Sequence, residues 1–133
     1  MSAAAIRDER SAVFFDALAD GRLLIRRCVP HGHPSSPEVL FCAECGTSRL
    51  DWVQAGGDGT VVSWTAIHSR PDETGVTAVR AFVGLVQLVE GPWLLARLLV
   101  DDTNELHIGA GVAFRVLETD GEPIYAFRLG GGR

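Results

Sequence analysis

The residues best suited to chemistry in this sequence are three cysteines and two histidines that lie close together. Cys28 opens the motif CVPHGH, which contains His31 and His33, and the motif CAEC follows with Cys42 and Cys45. In a zinc knuckle, two ligands are separated by two residues, and a tight turn directs both side chains at one ion. This sequence has two such pairs, at a separation typical of a hairpin. The stretch therefore predicts a metal site.

Either histidine could supply the fourth ligand. With His31, both pairs have the same two-residue spacing, and each is followed by a glycine, Gly32 or Gly46, that relieves the turn. With His33, the first pair would have the less usual C-x4-H spacing. The preferred ligands are then Cys28, His31, Cys42 and Cys45, with His33 as the alternative to His31 and a site that has lost its metal as the third possibility. Four protein ligands leave no position for water, so the zinc would be structural.

Catalytic arrangements elsewhere in the sequence are weak. A metal site would occupy all three cysteines, so no thiol nucleophile would remain. His68 ends a mostly apolar strand pattern, and His107 has no neighbouring nucleophile and carboxylate in the sequence. Asp101 and Asp102 are adjacent, which suits a turn better than an acid and base pair. We therefore expect no catalysis by the chain alone.

The elements around the cysteines are a helix and a strand. SAVFFDALADG predicts a short helix with Ser11 as N-cap and Gly21 as stop, and RLLIRRC predicts a strand that enters the cysteine region. Phe14 and Phe15 are adjacent and cannot both point into a small core. They are therefore candidates for a partner interface as well as for core packing.

The rest of the chain is rich in β patterns. Five runs, TVVSWTAIHS, VRAFVGLVQLV, WLLARLLV, VAFRVLET and PIYAFRL, are separated by turn signals and predict a small antiparallel barrel. Gly84 is a candidate bend or bulge in the second run, which is apolar on both faces. Arg70 and Arg80 flank a polar loop, and Trp64 precedes it. These three residues are candidates for ligand binding, because arginine can pair with phosphate and an aromatic ring can stack.

Composition limits the classes of function. The formal net charge is −5, all 12 basic residues are arginine, and they are scattered, which argues against a nucleic-acid surface. MSAAAIRDER has no apolar run of a signal peptide, and VGLVQLVEGPWLLARLLV is too interrupted to cross a membrane. The expected location is the cytoplasm, where cysteines stay reduced and are available as metal ligands.

The order of these features resembles the DUF35 family. The matching stretches are FFDALADGRLLIRRC, with Phe14, Gly21, Leu23 and Cys28 in the family's places, then CAECG, GDGTVVSWTAIH, LVQLVEG and LHIGAGVAFRV. The resemblance implies a mainly β protein with an N-terminal helical segment at 1–22, a rubredoxin-like zinc ribbon at 23–50 and a five-stranded OB-fold barrel at 51–133. One departure is His31, where the family usually has a second cysteine.

The resemblance also implies a function. DUF35 proteins look like accessory subunits of thiolase-superfamily enzymes, namely thiolases, acyltransferases and aldolases, in which the partner carries the catalytic groups. The expected partners are then a thiolase-like subunit in a hetero-oligomer and the acyl-CoA itself, for which Trp64, Arg70 and Arg80 are the candidate binding residues. Two alternatives are a single-stranded nucleic-acid binder, which ribbons and OB barrels also form, and a free-standing acyl-CoA carrier or thioesterase.

Overall fold

The computed structural model describes residues 11–130. The elements in this range are helix α1 (Ala12–Ala19), strands β1 (Leu24–Cys28), β2 (Pro34–Ser35), β3 (Leu50–Gln54), β4 (Asp58–His68), β5 (Val79–Leu88) and β6 (Trp93–Leu99), a 3-10 helix (Thr103–Glu105), and strands β7 (Gly111–Leu117) and β8 (Ile124–Leu129). Residues 1–10 of the predicted N-terminal segment lie outside the described residues. The mainly β composition with one α-helix confirms the predicted fold class.

Helix α1 forms at the predicted position because its apolar residues repeat at helical spacing. Phe14, Ala17 and Leu18 are buried on one face. The Phe15 N–H donates to the Ser11 carbonyl oxygen at 3.0 Å as the helix begins, and the Gly21 N–H donates to the Leu18 carbonyl oxygen at 2.9 Å as it ends. The helix therefore starts and stops where the sequence predicts.

A three-stranded antiparallel sheet in the order β2-β1-β3 holds the cysteine region. Leu24 pairs with Gln54 and Cys28 with Leu50, so β3 lies along the whole of β1. The sheet thus extends beyond residue 50, where the sequence predicts the end of the ribbon, and the first barrel strand begins at Asp58.

The five predicted β runs form a closed barrel in the order β4-β5-β6-β8-β7, which is the OB-fold arrangement. Four of the five strand pairs are antiparallel, and β6 and β8 are parallel. The parallel pair arises because β7 crosses over to pair with β4 and close the barrel. Strand β8 then returns between β7 and β6, in the direction of β6.

One apolar core joins the three parts. Leu18 of the helix, Ile25 of β1 and Phe127 of β8 belong to the same cluster of buried residues, and Leu18 and Phe127 are fully buried. The helix packs on both β1 and β8. The helix and the three-stranded sheet are therefore fixed to the barrel by shared burial and not by a linker alone.

No helix in residues 11–130 is long and apolar enough to span a bilayer.

Strand β4 approaches β5 closely at Gly84. The register between the strands shifts at two places, between Val61 and Ser63 and between Ile67 and His68. Gly84 pairs with Trp64 between them, so neither irregularity lies at Gly84 itself. A Cβ at Gly84 would overlap the Ser63 carbonyl oxygen and lie 3.0 Å from Leu98 Cδ1. Gly84 is thus required for close contact between two backbones.

We expect Gly84→Ala to lower the free energy of unfolding by about 2–3 kcal/mol, because the added methyl forces β4 and β5 apart. Gly111→Ala is the matched control, since a Cβ at Gly111 meets nothing within 4 Å. That control should change stability by less than about 1 kcal/mol. Urea unfolding of the three proteins measures both values, and equal stabilities for the two variants would contradict the prediction.

Candidate metal centre

Four side chains meet at one end of the three-stranded sheet. The ligand atoms of Cys28, His33, Cys42 and Cys45 all lie within 4.8 Å of one another. His33 Nδ1 is 3.4 Å from Cys28 Sγ and 3.5 Å from Cys42 Sγ, and the Sγ atoms of Cys28 and Cys45 are 3.9 Å apart. This cluster could hold a metal ion.

Three of the six distances between ligand atoms match the edges of a tetrahedral site. Zinc lies about 2.3 Å from sulfur and about 2.0 Å from nitrogen, which gives tetrahedral edges of about 3.8 Å between two sulfurs and about 3.5 Å between nitrogen and sulfur. The sulfur–sulfur distance of 3.9 Å and the nitrogen–sulfur distances of 3.4 and 3.5 Å agree with those edges.

Two similar turns bring the ligands together. The Gly32 N–H donates to the Cys28 carbonyl oxygen at 2.7 Å, and the Gly46 N–H donates to the Cys42 carbonyl oxygen at 2.8 Å. Both glycines have φ of +74°, a conformation that side-chain-bearing residues rarely adopt. The two predicted knuckle turns are therefore present, each with its glycine.

The structure places His33 in the cluster and leaves His31, the residue preferred from the spacing, outside it. The Cys28 N–H donates to the His33 carbonyl oxygen at 3.0 Å, and the His33 N–H donates to Cys28 Sγ, so the backbone holds His33 beside Cys28. His31 is exposed at the tip of the turn, with its ring centroid 5.4 Å from that of His33.

The two turns differ in where their second cluster residue lies. Cys45 lies three residues after Cys42, whereas His33 lies five residues after Cys28. His31, three residues after Cys28, is not in the cluster.

The local environment favours ionised thiols at two of the cysteines. Burial opposes ionisation of Cys42, but the N–H groups of the CAEC turn and the ring of His33 outweigh it and lower the pKa of this thiol to about 6. Burial also opposes ionisation of Cys28, and the N–H groups of His33 and His31 lower its pKa below the usual value. Because metals bind thiolates, these N–H groups support metal binding.

A groove of about 370 Å³ lies between helix α1 and residues 37–40. Phe15, Arg26, Trp52 and Tyr125 line part of it. The Arg26 guanidinium carbon is 4.1 Å from the centroid of the Trp52 ring, and its Nη2 donates to the Leu50 carbonyl oxygen at 3.1 Å. Arg26 Nε is buried without a hydrogen-bond partner among the described residues.

Sequence reasoning did not single out Arg26. The signal was available, because Arg26 alternates with Leu24 and Cys28 in β1 and so faces the same side as these buried residues. Tyr125 stands nearby, and its hydroxyl donates to the Leu95 carbonyl oxygen at 3.1 Å. Burial, together with the charge of Glu38, raises the pKa of Tyr125 to about 12.

Phe14 and Phe15, the candidate partner residues, have different surroundings. Phe14 is only 7% exposed and makes edge-to-face contacts with Phe15 and Tyr125. Phe15 is half-buried and packs against the edge of the core. Both side chains line the groove. Phe14 is a core residue, and Phe15 is the more exposed of the two.

The three candidate substrate residues are spread along the β4–β5 hairpin, with Trp64 near the middle of the ladder, opposite Gly84, and the two arginines near the connecting loop. Trp64 is exposed and makes an edge-to-face contact with Phe82 at 6.0 Å. Arg70 and Arg80 are exposed on either side of the loop that joins the strands, whose neck is closed by the Ser69 N–H donating to the Ala78 carbonyl oxygen. No contact joins either arginine to Trp64.

The loop itself is held by Asp72. Its Oδ1 accepts hydrogen bonds from the N–H and hydroxyl of Thr74, at 2.8 and 2.6 Å, and from the Val76 N–H at 3.0 Å. The Thr74 hydroxyl and these N–H groups lower the pKa of Asp72. Hydrogen bonds within the loop therefore hold it in a compact turn.

The weak catalytic candidates have local partners. Asp101 pairs with Arg128 at 3.0 Å, and Asp102 Oδ1 accepts from the Asn104 N–H as the cap of the 3-10 helix. His107 Nδ1 lies 3.0 Å from the Ile108 carbonyl oxygen. Asp102 therefore caps a turn, whereas Asp101 pairs with a residue of β8.

Comparison with known proteins places the chain in a family. A family model described as the ChsH2 C-terminal OB-fold domain matches residues 52–117. A DUF35 domain-containing scaffold protein of Pyrococcus furiosus is 30% identical over 114 residues, which are 81% of this chain and 82% of that protein. The chain belongs to the DUF35 family. This confirms the resemblance seen in the sequence.

One further relative of this DUF35 protein is a larger protein. A probable enoyl-CoA hydratase alpha subunit of Thermomonospora curvata is 33% identical over 112 residues, which are 84% of this chain but 34% of that protein. The chain therefore spans about a third of the length of that relative.

Two solved structures share the fold. A structure described as an Ltp2-ChsH2(DUF35) aldolase has 28% sequence identity and a TM-score of 0.77, over 95% of this chain and 98% of the other. A DUF35 protein of unknown function from Sulfolobus solfataricus has 18% identity and a TM-score of 0.64, over 91% and 85% of the two chains. The second similarity concerns the fold alone.

We expect His33→Ala to remove most of the bound metal, because a ligand atom is lost from the cluster. His31→Ala is the matched control, and it should retain the wild-type metal content because His31 lies outside the cluster. Metal analysis of the three purified proteins after dialysis measures this. Loss of metal from the His31 variant alone would restore the assignment preferred from the sequence.

Proposed function

We propose that this DUF35 protein is a non-catalytic accessory subunit of a thiolase-superfamily enzyme that acts on acyl-CoA. The observation that carries the proposal is the similarity to the Ltp2-ChsH2(DUF35) aldolase over nearly the full length of both chains. The curated relatives, described as a scaffold protein and as a hydratase alpha subunit, are consistent with a subunit of a hetero-oligomer. The partner would carry the catalytic groups.

We propose zinc as the metal of the cluster, with Cys28, His33, Cys42 and Cys45 as ligands. Thiolate and imidazole ligands at tetrahedral spacing favour zinc over magnesium or calcium, which prefer oxygen. The ion would link the CVPHGH and CAEC turns, neither of which carries enough apolar surface to fold by burial alone. Reduced thiols of this kind fit a cytoplasmic location.

The nucleic-acid alternative gains no support from the placement of aromatic residues. Trp64 lies opposite Gly84, and Trp93 lies opposite Gln87 on the other side of β5. Because successive residues of a strand face opposite sides, residues 84 and 87 face opposite sides of the sheet, and so do the two tryptophans. They do not form the shared stacking surface that single strands require.

The test of the accessory role is purification of the tagged chain from its native host, with mass spectrometry and metal analysis of the complex. We expect a thiolase-superfamily subunit in stoichiometric amount and about one zinc per chain. The isolated partner should lose activity on acyl-CoA and regain it when the chain is added. Co-purification of nucleic acid, or full activity of the partner alone, would contradict the proposal.

We also propose that Trp64, Arg70 and Arg80 contact the acyl-CoA in the complex. The exposed guanidinium groups of Arg70 and Arg80 suit phosphate, and the exposed indole of Trp64 suits adenine. We expect Arg70→Ala with Arg80→Ala to raise the KM for acyl-CoA several-fold with little change in kcat, since binding alone is lost. Arg115→Ala, an exposed arginine on β7, is the control. An unchanged KM in the double variant would exclude this contact.

A further inference from the structure

The outward face of β5 and β6 is apolar where a solvated sheet is usually polar. We define the β5–β6 outer face by Val83, Leu85, Trp93, Leu95 and Arg97. Leu85 lies directly opposite Leu95, Val83 opposite Arg97, and Gln87 opposite Trp93. The alternate residues of β6, Leu94, Ala96 and Leu98, are buried in the barrel. Alternate residues of β6 therefore point into the barrel, and the residues between them form the outer face.

Its exposure is large for apolar side chains. Leu95 is 66% exposed and Trp93 is 50% exposed. Ile67 extends the surface onto β4, where it lies opposite Ala81 and is 46% exposed. In an antiparallel sheet with one face on the core and one face in solvent, apolar and polar residues normally alternate along each strand. An apolar surface with this exposure marks a place where another molecule binds.

The strand segments that form this surface carry arginine but no acidic residue. Residues 63–68, 79–88 and 93–99 contain no Asp or Glu, although the chain as a whole has a net charge of −5. Arg97 stands beside Leu95 on the outer face, is exposed, and forms no hydrogen bond or ion pair within residues 11–130. A guanidinium at the edge of an apolar contact favours a carboxylate on the opposing surface.

We propose that the β5–β6 outer face is the docking surface for the catalytic subunit, whose matching surface has an apolar centre and a carboxylate that pairs with Arg97. This rests on the proposed accessory function and specifies where the partner binds. A second copy of the chain fits less well. A two-fold symmetric contact places the same patch against itself, and this patch offers no carboxylate to Arg97.

Binding measurements with the co-purified thiolase-superfamily subunit test the face. Leu95→Asp places a carboxylate in the apolar centre and should weaken binding at least about tenfold, the loss expected at an interface hot spot. Ile108→Asp is the matched control, because Ile108 is 72% exposed and lies outside the β5–β6 outer face. The control should bind as wild type does. Thermal unfolding should be unchanged in both variants, since both positions are exposed.

Arg97→Glu tests the charge separately. It should weaken binding and reduce its dependence on salt, whereas Arg115→Glu on β7 should not. If the Leu95 and Ile108 variants bind equally well, the docking face is wrong and the accessory function stands. If the wild-type chain binds no thiolase-superfamily subunit, the function itself fails, and the docking assignment fails with it. Self-association of the chain that Leu95→Asp abolishes would assign the face to a second copy and overturn the proposal.

Discussion

The shared apolar core is the constraint on which the other parts of this DUF35 protein depend. The ribbon sheet has only three short strands, and the side chains that it buries, such as Ile25, point toward the same cluster as Leu18 and Phe127. A sheet of this size does not bury enough surface to be stable alone. Its position, and therefore that of the cysteine cluster at the end of β1, is fixed by packing on the barrel.

Local patterns predicted the elements that this core holds. The repeat of apolar residues fixed helix α1, and the β runs between turn signals matched all five barrel strands. The parallel pairing of β6 with β8 could not be obtained in this way, because it depends on which strand closes the barrel and not on the composition of either strand.

The fourth cluster residue shows a different limit of sequence reasoning. Spacing alone favoured His31, because equal spacing in two turns implies equal backbone positions. The structure places His33 in the cluster, where hydrogen bonds between Cys28 and His33 hold it, and such contacts are not visible in the spacing of a sequence. The alternation of β1 places Arg26 on the buried side, but its contact with Trp52 could not be predicted, because the register of the two strands cannot be obtained from local sequence.

The hydrogen bonds of Asp72 have a thermodynamic consequence for recognition. A surface loop that is free in solution must give up backbone conformations when another molecule contacts it, which opposes association. Residues 72–76 have already lost much of that freedom, because one carboxylate oxygen accepts three hydrogen bonds from within the loop. The tip of the β4–β5 hairpin can therefore form contacts with a smaller loss of conformational entropy than its polar, glycine-containing sequence would suggest.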